Sequence, residues 1–222
     1  MIYVTGDTHG DETRFKQFKK LFPKRRDHLL VCGDFGFVWD GSGQEQKLLK
    51  KLGRHSFDIL FVEGCRDNYD LLKTFPTVPY RGGQARKISG NLYQLLRGEI
   101  YDIDGKKVFA FGGGYSDEDW LDTGHDSGMW WIEEQPSEEE MDRGLANLTA
   151  CSNKVDIVIT HDAPASMRHF IRIDDNEESV IHTYLEQVMK QCDFGHWFFG
   201  HYHLDKIIPP RFTAVFQSMH SL

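Results

Sequence analysis

Short apolar runs, each closed by a glycine or a polar residue and then by groups able to bind a cation, recur along this chain. Ile2 to Val4 leads into Gly6-Asp7-Thr8-His9, Leu29 to Cys32 into Gly33-Asp34, and Ile59 to Val62 into Glu63-Gly64-Cys65-Arg66-Asp67. Later, Val155 to Ile159 runs into Thr160-His161-Asp162, and His196 to Phe199 into Gly200-His201-Tyr202-His203. Such short runs suit buried strands. Between them the period lengthens to that of helices. Phe15, Phe18, Leu21 and Phe22 follow Asp11, a capping residue, and Pro23 stops them. Lys16, Lys19 and Lys20 fall on the opposite, solvated face. Further helices are expected from about Gln44 to Leu52 and over 69–75 before Pro76. Another starts at the capping box Ser137-x-x-Glu140, with Met141, Leu145 and Leu148 facing inward. The stripe Val180, Ile181, Tyr184, Leu185, Val188, Met189 and Cys192 predicts one more.

Residues 92–103 and 107–111 read as two strands joined by a tight turn at Asp104-Gly105. Gly82-Gly83 reads as loop and 166–178 as a surface connection, with short strands at 207–208 and 214–216. Strands alternating with helices predict an α/β fold whose functional groups gather at the carboxyl edge of a sheet.

Composition narrows this picture. A chain of 222 residues, 40% of them hydrophobic, suits one domain over 1–222 with a large core. A formal charge of -8 argues against an extended nucleic-acid surface or a membrane surface, either of which needs a basic face. No apolar run approaches the roughly 20 residues that span a bilayer. The four cysteines form no Cys-x-x-Cys pair, and the chain opens straight into a strand, so a cytoplasmic protein with reduced thiols is expected.

The strand ends carry the chemistry. Asp7 and His9, Asp34, His161, and His201 with His203 supply oxygen and nitrogen ligands of the kind divalent metals take. Cys65 is either a thiolate ligand or an inert buried thiol. Arg66 beside it can grip phosphate or carboxylate. Four histidines and two aspartates exceed what one tetrahedral ion needs, so two adjacent ions are expected. The stretch 115–136, with Asp117, Glu118, Asp119, His125, Asp126, Trp130 and Trp131, reads as a functional loop. Its tryptophans are either lid core or an aromatic wall for a ligand. His28, His55, His169, His182, His196 and His220 occupy no repeated position and read as structural or surface residues.

In this order the motifs resemble those of the calcineurin-like metallophosphoesterases, from Met1 to His203. That family's pattern is Asp-x-His, Gly-Asp, Gly-Asn-His-Asp/Glu, a histidine, then Gly-His-x-His. The resemblance implies an α/β four-layer sandwich, two mixed β-sheets flanked by helices. It implies Asp7, His9, Asp34 and His203 around one ion, and Asp34, Cys65, His161 and His201 around the other, with Asp34 bridging. The ions would be divalent or mixed-valence, with manganese, iron or zinc foremost. The substrate would be a small phosphate mono- or diester, attacked by a metal-bridging hydroxide.

Two departures bear on chemistry. Cys65 replaces the family's asparagine: as a thiolate it favours iron or zinc over magnesium, and as a thiol it leaves the second ion weakly held. Arg66 replaces a histidine, so it can neutralise phosphoryl charge but cannot donate a proton near neutral pH. Asp67 and His125 are then the candidate proton donors by composition, and Phe37, Trp39, Arg66 and His125 the candidate substrate contacts. The alternative reading is a catalytically impaired relative reused as a ligand-binding or scaffold module. A third is that Cys65 and Arg66 redirect the metals to another bond cleavage.

Overall fold

A computed structural model describes residues 1–21, 27–116, 131–171 and 179–222. The chain begins with β1 (Ile2–Thr5), α1 (Glu12–Leu21), β2 (His28–Cys32), α2 (Gly43–Leu52), β3 (Asp58–Val62) and α3 (Tyr69–Thr74). It continues through β4 (Thr77–Tyr80), β5 (Gly83–Ser89), β6 (Leu92–Leu95), β7 (Glu99–Ile103) and β8 (Lys106–Phe111). After a single 3₁₀ turn (Ile132–Glu134) come α4 (Glu138–Ala150), β9 (Lys154–Thr160), α5 (Ala165–Arg168) and α6 (Val180–Gln191). The remainder is β10 (Asp193–Phe199), β11 (Lys206–Ile208), β12 (Phe212–Ala214) and β13 (His220–Ser221).

These strands build two mixed sheets, ordered β13-β1-β2-β3-β6-β5-β4 and β11-β12-β10-β9-β8-β7. In the first, β1, β2, β3 and β6 run parallel; in the second, β12, β10, β9 and β8 do. Antiparallel strands close both edges of each sheet.

The burial pattern gives the layers. Leu30, Leu60 and Val62 from one sheet meet Val108, Ile157 and Phe198 from the other in a central core. The opposite face of the first sheet carries Leu29, Ile59 and Phe61 against Phe15, Leu49, Leu52 and Leu72 of α1–α3. The outer face of the second meets Leu148 of α4 and Ile181, Leu185 and Val188 of α6. The result is helix, sheet, sheet, helix. Parallel strands covered on both faces explain why their sequences are continuous apolar runs rather than alternating ones. The capping box at Ser137 and Glu140 starts α4 as the sequence predicts.

Residues 92–103, expected as one strand, are two in different sheets. β6 ends at Leu95, and the chain crosses to the second sheet through Leu96-Arg97-Gly98. Gly98 has φ +76°, and a Cβ there would lie 2.7 Å from the Cα of Gly144 on α4. The crossing thus needs a residue without a side chain. The sequence also hides β4 and β5, where a loop at Gly82-Gly83 was expected. Pro79 sits in β4, an edge strand, where a missing amide costs little. The surface connection expected over 166–178 begins instead with α5, whose Arg168 is buried; 172–178 lie outside the described residues. Among the described residues no helix is long and apolar enough to cross a membrane.

The crossing also places Arg97 where it braces the loop after β3. Buried Arg97 donates to Glu63 Oε1 at 2.6 Å, Glu140 Oε2 at 3.1 Å and Tyr69 Oη at 3.2 Å. Gln94 holds the other Glu63 oxygen at 2.7 Å, and the Tyr69 hydroxyl reaches the Gly64 carbonyl at 3.1 Å. Removing one partner of a buried, hydrogen-bonded ion pair strands the other charge. Arg97→Leu is expected to cost ~3–5 kcal/mol and lower the thermal midpoint by roughly 6–20 °C in a calorimetric scan.

Candidate metal centre

The carboxyl ends of β1, β2, β3, β9 and β10 converge where the two sheets meet. Asp7 and His9 follow β1, Asp34 follows β2, Cys65 follows β3, His161 follows β9, and His201 and His203 follow β10. Their potential ligand atoms form three overlapping groups: Asp7, His9 and His203; Asp7, Asp34 and His161; and Cys65, His161 and His201. Within each group all atoms lie within 4.8 Å of one another. All seven residues proposed as ligands from the sequence therefore come together.

Backbone geometry makes this possible. His9, Asp34, His201 and His203 adopt φ of +47°, +43°, +67° and +51°. The chain after β1, β2 and β10 thus turns sharply through the left-handed region, which aspartate and histidine enter more readily than most residues. Gly33, at φ +89°, lets β2 pass directly beneath His161, where a Cβ would lie 2.1 Å from His161 Nδ1. Amides hold the carboxylates: the His201 amide donates to Asp7 Oδ1 at 3.1 Å, and the Arg66 amide to Asp34 Oδ1 at 2.7 Å.

Several atoms are left without partners in ways that suit cations. Asp7 Oδ2 and His161 Nε2 are buried and lack hydrogen bonds. His161 Nδ1 lies 3.0 Å from the Cys32 carbonyl, which can only accept, so that nitrogen carries hydrogen. This fixes the ring and aims Nε2 at Asp34 Oδ1, 3.4 Å away. Asp34 Oδ2 faces the other way, 3.8 Å from His9 Nδ1. Asp34 thus presents one oxygen to each side of the centre. The Nε2 atoms of His9 and His203 stand 2.9 Å apart, and His203 Nε2 is 3.9 Å from Asp7 Oδ2.

The electrostatics match. Burial works against a charged His161, yet Asp34 and Asp7 raise its proton affinity well above the ordinary value. Burial likewise opposes a charged Asp34, but His161, the Arg66 amide and His9 hold its carboxyl below the usual range. For His9 burial prevails and lowers the pKa, helped by His203 and Arg66. The centre is a negative hollow that draws positive charge. Its donors fit divalent ions: carboxylate and imidazole on one side, imidazole and sulfur on the other. Burial pushes the Cys65 thiol up to about 12, with Glu134 and Asp34 adding to the rise, so it is a thiol until a cation displaces its proton.

Other expected site residues sit differently. Arg66 is exposed at the rim. Asp67 is fully buried: it accepts from the Phe35, Gly36 and Gly64 amides at 3.1, 2.8 and 2.9 Å. Burial and Asp34 lift its pKa to about 7. Its oxygens clasp the loops after β2 and β3 together, which corrects its expected place as a proton donor facing substrate. Phe37 is only 3% exposed and packs in the outer core with Phe15 and Phe35, ring centroids 5.3 and 4.8 Å away. It is not a substrate contact. Trp39 is exposed and meets Trp131 edge to face at 5.9 Å. Trp131 Nε1 reaches Asp70 at 3.1 Å. His125 lies outside the described residues, as do Asp117, Glu118, Asp119, Asp126 and Trp130.

Two buried acids beside the centre were not among the residues expected at it from the sequence. Glu134, in the 3₁₀ turn, is 2% exposed; its Oε2 accepts from Ser116 Oγ at 2.6 Å and its Oε1 has no hydrogen bond. Burial raises its pKa to about 7, and Asp34 adds to this. Asp162, buried directly after His161, stands in the strand-end motif Thr160-His161-Asp162 but had no role read from the sequence. Its partners became apparent only in three dimensions.

A model of the calcineurin-like phosphoesterase family matches residues 1–205. No curated protein matches the sequence.

Proposed function

The chain belongs to the calcineurin-like phosphoesterases, and we propose that it hydrolyses a small phosphate mono- or diester at two adjacent cations. The support is Asp34, whose two oxygens face separate nitrogen donors at 3.4 and 3.8 Å, beside the orphaned Asp7 Oδ2 and His161 Nε2. One buried carboxylate shared in this way serves two ions better than one. Asp7, His9, Asp34 and His203 would hold the first ion, and Asp34, Cys65, His161 and His201 the second.

Divalent cations there supply positive charge for phosphoryl oxygens and water acidified to near-neutral pKa. The chain's own groups do the rest. Arg66, exposed beside Asp34, meets the phosphoryl oxygens and offsets their charge. The Cys32 carbonyl keeps His161 in one tautomer. Asp67 keeps the loops carrying Asp34 and Cys65 in register. The sulfur donor favours iron or zinc over magnesium at the second position.

Elemental analysis of protein purified without added metal, with rates on aryl and alkyl mono- and diesters, tests this reading. Two ions per chain and turnover of one ester class are expected; protein free of metal and inert after reloading overturns it. Arg66→His is expected to raise kcat on alkyl esters ~10²-fold or more by restoring a proton donor, with unchanged metal content. An equal or lower rate counts against the role given to Arg66. A second reading, a binding module on this fold, is favoured by one observation: arginine stands at the rim where the family has histidine. Metal-loaded protein that binds inorganic phosphate yet cleaves no ester would establish it.

A further inference from the structure

Resting on the metal reading above, we infer that Asp162 is a positioning residue that sets the span between His161 and the His201–His203 loop. Its carboxylate is fully buried and makes four hydrogen bonds, each to a different part of the chain. Oδ1 accepts from the Tyr202 hydroxyl at 2.6 Å and the Ala163 amide at 2.8 Å. Oδ2 accepts from the Tyr115 amide at 3.1 Å and faces His182 Nε2 at 2.9 Å.

The tautomer of His182 follows from its surroundings. Its Nδ1 takes the Ser179 amide at 3.0 Å, and an amide can only donate, so the ring hydrogen sits on Nε2 and points at Asp162. Buried Arg168 stands on the same Nδ1 side, at 3.2 Å.

Tyr202 is the point of leverage. It lies between His201 and His203, both at positive φ, in a loop with one internal backbone bond, Tyr202 N to Gly200 O at 2.8 Å. The Gly200 amide ties the base of the loop to the His161 carbonyl at 2.9 Å, and the Tyr202 hydroxyl adds a side-chain tether from the loop's middle to the residue after His161. Without that hydroxyl, backbone bonds still hold Gly200 to His161 and the His201 amide to Asp7, but the stretch from Tyr202 to His203 loses its side-chain brace toward His161. Through His182 and Tyr115 the same carboxylate also links the centre to α6 and to the segment after β8. Groups that orient metal ligands from behind are typically worth ~10–100-fold in affinity.

The test is Tyr202→Phe, which deletes one oxygen and keeps the ring. Zn²⁺ and Mn²⁺ binding is measured on the full chain by competition with a chelator, alongside the thermal midpoint of the metal-free protein. Affinity is expected to fall ~10-fold or more, while the metal-free midpoint falls by no more than about 4 °C. Asp162→Asn is expected to weaken binding as well, because its amide nitrogen faces a donor. Tyr184→Phe removes a phenol oxygen that has no hydrogen bond, from a ring packed on Phe111, and should leave affinity unchanged. Wild-type affinity in Tyr202→Phe overturns the positioning role while leaving the metal reading intact. A wild-type chain that binds neither ion overturns both.

Discussion

On the proposed function, Asp34→Asn is expected to lower kcat/KM on any phosphoester the chain turns over by ~10³-fold or more, about 4 kcal/mol of transition-state stabilisation. It is also expected to release metal from both sides of the centre. The substitution keeps the size and shape of the side chain, and the remaining oxygen can still accept the Arg66 amide, 2.7 Å from Asp34 Oδ1 in the native chain. What it removes is a negative charge and one of two ligand oxygens. An amide nitrogen would then face either His161 Nε2 or His9 Nδ1, where carboxylate oxygens now stand at 3.4 and 3.8 Å. A nitrogen with two hydrogens repels a cation on whichever side it takes. Metal content and kinetics measured on one preparation check this. A variant with full metal content and native rate would show that Asp34 bridges nothing.

Gly33→Ala is expected to be strongly destabilising and to disrupt the centre directly. Two costs add. The residue has φ +89°, which an alanine resists by ~1–2 kcal/mol. The new Cβ would also lie 2.1 Å from His161 Nδ1 and 2.3 Å from Cγ, inside a ring fixed by the Cys32 carbonyl. His161 is fully buried and cannot swing into solvent. A loss of more than ~3 kcal/mol is expected, seen as a fall of roughly 6–12 °C or more in the thermal midpoint, together with loss of metal. Gly43→Ala is the control. It stands in the first turn of α2 with nothing within 4 Å of its Cβ, so it should be neutral or slightly stabilising. If both substitutions have similar effects, the packing of β2 against His161 is looser than described.

Much of this arrangement was legible in the chain because the strands are buried on both faces. A run such as Leu29-Leu30-Val31-Cys32 has one plausible structure, and the glycine after it marks where the backbone must turn. Four such turns and the glycine-free end at Thr160, each followed by a ligand-type residue, led to the seven residues that now lie together. Where the pattern failed, the deciding contacts were remote in sequence. Nothing local distinguishes Phe37, which turns inward against α1, from Trp39, which turns outward. Asp67 was a proton-donor candidate by composition, since two of its three amide partners, Phe35 and Gly36, lie in a loop that meets its own only after the sheet forms. The split of 92–103 depended on Gly98 meeting α4. Glu134 lies outside any strand-end motif and reaches Cys65 only through the 3₁₀ turn.

The left-handed backbone at His9, Asp34, His201 and His203 has a consequence for how this chain can evolve. At these four places main-chain geometry screens side chains before any ion does: valine, isoleucine or leucine would be strained there, whereas glycine and asparagine would not. A descendant with no ion to hold would therefore drift toward glycine and asparagine at these corners rather than replace them with hydrocarbon. Its loops would keep their course long after the chemistry had gone.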